Sequence, residues 1–151
     1  MPDVFISYSS KDEKMAQFLR SHLQQQEVSV FMASMSLQLG QHWSAQILSN
    51  LKTSSWVLFL ASREACQSPY VQQEVGAALV QQKKLVPIIW EIDPSELPGW
   101  AKQYQALNLA GVRTLDEIRI QINVIAQKIK SDKAVAVAIL GAIVLGILSL
   151  L

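Results

Sequence analysis

Trp56 to Leu60 (WVLFL) is five apolar residues without a polar break, bounded by polar stretches on both sides. A run this short and this rich in β-formers reads as a strand buried on both faces. Such a strand needs a parallel sheet with helices packed above and below it. The rest of the chain supplies those parts in alternation. Asp3 to Tyr8, Val28 to Met32, Leu85 to Trp90 and Ala106 to Leu109 read as further strands. Met15, Phe18, Leu19 and Leu23 have helical spacing within residues 11–26, with Ser9 or Ser10 as cap. Trp43, Ile47, Leu48 and Leu51 mark a second helix, and Val71, Val75, Ala78 and Leu79 a third. Leu115, Ile118, Ile122, Ile125 and Ile129 mark the last, with Thr114 as its cap. Ala33 to Gln41, Ser62 to Pro69 and Asp93 to Gly99 are expected as loops, and Pro87 puts its strand at an end or an edge. The expected fold class is α/β. In such sheets ligands bind beyond the carboxyl ends of the strands, so the loops after Ile6, Met32, Leu60 and Trp90 share one rim. Neither a Rossmann fingerprint nor a P-loop sequence is present.

The C-terminal segment is of another kind. Residues 134–151 hold 15 hydrophobic residues, two Gly and one Ser, whereas every charged residue lies before them. Eighteen such residues reach about 27 Å as a helix, near the roughly 30 Å of a bilayer core. The expected organisation is a domain over 1–130, a short basic junction at 131–133 and a transmembrane helix over 134–151. Lys128, Lys130 and Lys133 flank the segment on one side, which by the positive-inside rule places the domain in the cytoplasm. A core helix closing the domain is the alternative. Ala134, Ala138, Ala142 and Gly146 recur every four residues, a stripe that either lets helices approach closely in a bilayer or reflects ordinary composition.

The net charge of +1 argues against a strongly basic nucleic-acid binder and against electrostatic targeting to DNA or lipid, which leaves location to the tail. One cysteine excludes a disulfide framework, and two histidines leave little for a metal site; none is expected.

Three pieces in order resemble the TIR (Toll/interleukin-1 receptor) domain: the strand ending Ser7-Tyr8-Ser9 before Asp12, Gly40 ahead of Trp43 and Ile47, and Ser62 followed by Ser68, Tyr70 and Glu74. The likeness spans about residues 3–130. It implies a flavodoxin-like fold with a five-stranded central parallel sheet, followed here by the apolar C-terminal helix. It also implies two uses. Some family members are adhesive modules that assemble through TIR–TIR contacts. Others cleave NAD+ at the nicotinamide–ribose bond, giving ADP-ribose or cyclic ADP-ribose isomers. On that resemblance the chain is a membrane-anchored NADase, active when oligomerised and serving bacterial antiphage defence; NAD+ is its substrate and no cofactor is needed. A non-catalytic membrane-anchored adaptor is the alternative, and a tail that perforates the membrane after assembly is a third.

Glu74 matches the glutamate that catalytic members place in the third helix. The chemistry asks for little else: nicotinamide is a good leaving group, and one carboxylate against the ribose stabilises the oxocarbenium-like charge left behind. Without the family, Glu74 is an ordinary solvent-facing helix glutamate. Ser7, Tyr8, Ser9, Lys11, Phe31, Gly40, Trp43, Ser68 and Tyr70 are the expected NAD+-binding residues. Several have plainer readings: Ser9 and Ser68 as helix caps, Tyr70 and Trp43 as core, Lys11 as a solvated lysine. Ala33 to Trp43 corresponds to the family's BB loop, where Gly40 supplies a positive φ. His42 reads as a solvated loop residue. Cys66 reads as a partly buried small residue with no activating neighbour but Arg63.

Overall fold

The computed structural model describes residues 2–34, 44–69, 71, 76–79, 84–110 and 115–150; the side chains of 77, 78, 115 and 134–150 are outside the description. Five parallel strands form one sheet: β1 (Val4–Tyr8), β2 (Val30–Ser34), β3 (Trp56–Leu60), β4 (Lys84–Ile89) and β5 (Leu107–Asn108). Their order is β2-β1-β3-β4-β5. The pairs Val4 with Trp56 and Trp56 with Lys84 set the register of the three inner strands. Every residue of β1 and β3 is buried, as the uninterrupted apolar run of β3 requires; in β1 the polar Ser7 is buried among apolar neighbours. β2 lies at the edge and is mostly half-buried.

The helices are α1 (Glu13–Gln25), α2 (Ala45–Thr53), α3 (Arg63–Gln67), α4 (Gly76–Leu79), α5 (Gly99–Lys102) and α6 (Leu115–Leu150). Strand alternation sorts them into two layers. Phe5, Val57 and Phe59 point to the face covered by α2 to α5, where Leu51, Cys66, Leu79 and Ala101 close the core. Val4, Ile6, Tyr8 and Leu58 point to the other face, against Leu19 and Leu23 of α1 and Ile122, Ile125 and Ile129 of α6. A hydrogen-bond contact of 3.0 Å between His22 Nε2 and Asn123 Oδ1 joins α1 to α6.

Several boundaries differ from expectation. β2 starts two residues later than Val28, because Glu27 turns the chain with φ 63° and Asp3 holds Ser29 in a reciprocal pair of hydrogen bonds. It runs on to Ser34, through what reads as loop. Residues 62–69 are not a loop: Ser62 accepts a hydrogen bond from Ala65 N–H and starts α3. Asp93 to Gly99 holds a single 3-10 turn, in which Asp93 and Glu96 form a reciprocal capping box, and then α5 begins. Ser9 caps a 3-10 turn over Ser10–Asp12 without a side-chain hydrogen bond, and α1 follows from Glu13 with Asp12 at its cap position.

Pro87 sits in an inner strand by order, yet at an edge by pairing. β5 reaches only Ile88 and Ile89, so the outer side of Lys84 to Pro87 has no strand beside it among the described residues. Lys84 N–H donates to Ser55 O and Ala61 N–H donates to Ile88 O, whereas Leu109 N–H donates to Ile89 O. Even-numbered residues of β4 therefore bond β3 and odd-numbered ones face outward. The missing N–H of Pro87 falls where no partner strand waits for it.

α6 runs without interruption for 36 residues. Burial of Ile122, Ile125 and Ile129 contributes roughly 1.5–3 kcal/mol each, so packing rather than charge holds it to the domain. Asp132 accepts from the Trp56 indole at 3.2 Å and pairs with Lys84, while Lys133 Nζ lies 3.5 Å from Asp3 Oδ1. The junction residues are thus seated against the amino ends of β1, β3 and β4. Among the described residues no helix is long and apolar enough to cross a membrane. The expected span falls on residues whose side chains are outside the description.

Candidate functional site

The rim is built at the carboxyl ends of β1, β2 and β3. Ser7 is the last inward residue of β1 on the α2–α5 side, paired with Ala33 of β2 and Phe59 of β3. Its hydroxyl is fully buried and has no hydrogen-bond partner among the described residues. Phe31 lies on the same face, stacked on Phe5 with ring centroids 5.8 Å apart. Phe59 carries Trp100 at 5.0 Å, tilted by 57°. Trp100 in turn lies against Gly76: a β-carbon there would come within 2.4 Å of the indole. The Trp100 Nε1 is also buried without a partner among the described residues. Ser7, Phe59, Trp100 and Gly76 thus form a continuous floor reaching to two residues from Glu74. Glu74, Tyr70, Gly40, Trp43 and His42 themselves lie outside the described residues.

The remaining expected residues divide. Tyr8 ends β1 on the opposite face, where its ring packs beneath α1, and burial, then Glu13, raises its hydroxyl above the usual phenol range. Its side chain and that of Ser7 are therefore not brought together. Ser9 is buried and accepts Asp12 N–H through its carbonyl. Lys11 is exposed and pairs with Glu64 at 3.2 Å. Ser68 Oγ accepts from Val71 N–H at 3.4 Å, the contact expected of a cap.

The segments after β1, β3 and β4 also bring acids together. Burial raises the Asp12 carboxyl above its ordinary range; a hydrogen bond from Ser62 opposes this, and Glu91 and Glu64 add to it. Arg63 does not answer Asp12: its guanidinium donates to the Glu91 carbonyl at 2.7 Å, and its backbone N–H to the Glu91 carboxylate at 2.8 Å. Cys66 is buried, and desolvation pushes its thiol up to about 12, which removes it as a nucleophile. Among the described residues no His, Cys, Asp and Glu group is placed to hold a metal. Trp100 is the site neighbour that sequence reasoning missed. A glycine inside the third helix was the available signal for Trp100, since such a residue usually marks a close packing contact.

The TIR domain family model matches residues 4–122, and the chain belongs to that family. It is 30% identical over 128 residues to the NAD(+) hydrolase SARM1 of Danio rerio, covering 69% of this chain and 18% of that protein. It is 28% identical over 97 residues to the probable 2′ cyclic ADP-D-ribose synthase BdTIR of Brachypodium distachyon, covering 63% of this chain and 43% of that protein. The chain thus spans less than half the length of either relative. The fold is similar to the TIR domain of the Toll-related receptor TRR-2 from Hydra magnipapillata, with a TM-score of 0.64 at 15% identity, over 86% of this chain and 99% of that one.

Proposed function

We propose that this TIR domain cleaves NAD+ at the nicotinamide–ribose bond. The C–N bond breaks with its electron pair leaving on nicotinamide. Either water attacks the ribose carbon and releases a proton, giving ADP-ribose, or a group of the same nucleotide attacks and gives a cyclic isomer. Glu74 is the carboxylate that faces the developing positive charge. The observation that carries this reading is the floor below the rim. The unpartnered Ser7 hydroxyl and the Phe31 ring share one layer with Gly76, two residues from Glu74. Two relatives whose names denote NAD+ or cyclic ADP-ribose chemistry support it. Ser9, Lys11, Gly40, Trp43, Ser68 and Tyr70 complete the proposed NAD+ surface.

The same proposal includes activation by self-association through the TIR domain, insertion of 134–151 in a membrane with the domain on the cytoplasmic side, and a role in antiphage defence. The deciding experiment is nicotinamide release from NAD+ by the full chain, concentrated or clustered on vesicles. Activity that Glu74→Gln abolishes, with an unchanged circular dichroism spectrum, is the expected result. No turnover under any clustering condition overturns the enzyme reading in favour of an adaptor.

A further inference from the structure

The near-zero net charge conceals a separation of charge along the sheet. Asp12, Glu13, Glu64, Glu91, Asp93 and Glu96 all sit in the segments that follow the carboxyl ends of the strands, against Lys11, Lys14 and Arg63. The amino end has the opposite balance. Lys52, Lys84, Lys128, Lys130 and Lys133 gather there, against Asp3, Glu27 and Asp132. Asp3 is engaged by Lys133 and Ser29, and Asp132 by Lys84 and Trp56.

Two cavities open at this end and share Trp56 and Lys84. One, about 420 Å³, is polar, with Lys52, Thr53, Ser55 and Asp132 on its walls. The other, about 530 Å³, runs along the uncovered side of β4, with Lys128 at its edge and Leu85, Val86, Leu107, Val124 and Ile125 lining it. α6 contributes Asp132 to the first and Lys128 to the second.

We propose that the amino end of the sheet is a contact surface for anionic phospholipid, with Lys52 and Lys128 meeting the headgroup phosphates on either side of the Lys84–Asp132 pair. Charge complementarity is the first ground. Lysine presents a compact, hydrated charge on a flexible stem, suited to phosphate without fixed geometry. The acids of the opposite rim do not cancel it: five strand residues separate the ends by about 16 Å, beyond the roughly 8–10 Å over which salt screens charge. The second ground is the apolar cavity beside the polar one. A phospholipid has both characters in one molecule, whereas a nucleic acid backbone offers charge alone. The consequence is an orientation in which the Ser7 floor faces away from the bilayer. The inference goes beyond the NAD+ reading and rests only on the membrane insertion of 134–151 proposed with it.

Amine footprinting tests it. The full chain is labelled with an acylating reagent in the presence of vesicles of phosphatidylcholine alone, or with about one-third phosphatidylserine, and each lysine is read by mass spectrometry. Labelling of Lys52, Lys84 and Lys128 is expected to fall about fivefold or more on the serine lipid, to recover in high salt, and to leave Lys11 and Lys14 unchanged. The double variant Lys52→Glu with Lys128→Glu should lose the protection of Lys84 while keeping its circular dichroism spectrum. Equal labelling on both vesicles, or protection of Lys11 and Lys14 to the same degree, overturns the proposal. So does an equal amount of duplex DNA phosphate that reproduces the pattern. A tail that does not insert shows separately, as no binding to phosphatidylcholine alone. Failure of the NAD+ reading shows only in nicotinamide release.

Discussion

The Trp100 indole occupies the space that a β-carbon on Gly76 would need, with Nε1 and Cδ1 each 2.4 Å from that point. Phe59 backs the same ring from below. The segment just after Glu74 can therefore approach the sheet only because residue 76 has no side chain.

Gly76→Ala tests this contact by the sign of its effect. Within an exposed helix the change would stabilise by about 0.5–1 kcal/mol. Here the indole must shift inside a packed layer, at a cost of about 1–3 kcal/mol. A lowered melting temperature is expected by circular dichroism, with nicotinamide release falling alongside it. Combining it with Trp100→Phe should return part of the loss; a variant as stable as the parent would remove the packing argument.

Asp12→Asn should stabilise the protein at neutral pH. The folded carboxyl titrates above its unfolded value, so the folded state holds the proton more tightly. Its contribution is then most favourable in acid and is lost as pH rises through the raised folded value. Removing the half-buried charge is expected to raise stability at pH 7 and to change it little at pH 3. Chemical denaturation at both pH values checks it, and equal gains at the two would contradict the burial argument.

Cys66 is expected to resist thiol reagents while the fold is intact. With its thiol pushed up to about 12 and its side chain buried, almost none of it is thiolate at pH 8. Ellman's reagent should titrate one thiol only after denaturant is added. Rapid reaction in the native state would show that α3 opens.

Asp132→Ala separates two contacts that meet on one carboxylate. The exposed pair with Lys84 is worth about 0–1 kcal/mol and weakens in salt. The Trp56 indole N–H is partly buried, and leaving it without an acceptor costs about 1–3 kcal/mol. Most of the measured loss should therefore persist at high ionic strength. A loss that vanishes in salt would assign the stabilisation to Lys84 instead.

The strand–helix alternation was legible because WVLFL and its neighbours have the composition of doubly covered strands. The Asp93–Glu96 capping box went unread: its acidic cap, Pro and Glu stand in the sequence, but two prolines and a glycine in so short a segment read as loop. α3 is five residues long and leaves no periodicity, so only Ser62 as a cap could mark it. Within the site, Ser7 and Phe31 follow from strand parity. The same parity sends Tyr8 to the other layer, which a rim defined by sequence neighbours does not distinguish. Trp100 meets Phe59 and Gly76 across long sequence separations, and no local pattern records such a contact. The separation of charge is likewise a product of topology: each strand carries its flanking residues to opposite ends, and a sum over the chain erases the difference.

α6 enters the core at Ile122 and is still helical at Leu150. Its whole length is about 54 Å, and the part beyond Lys133 is a lever whose fulcrum is the seat made by Asp3, Trp56 and Lys84. The helix has no break between that far end and the residues that meet the starts of three strands. Whatever grips that arm handles the sheet itself.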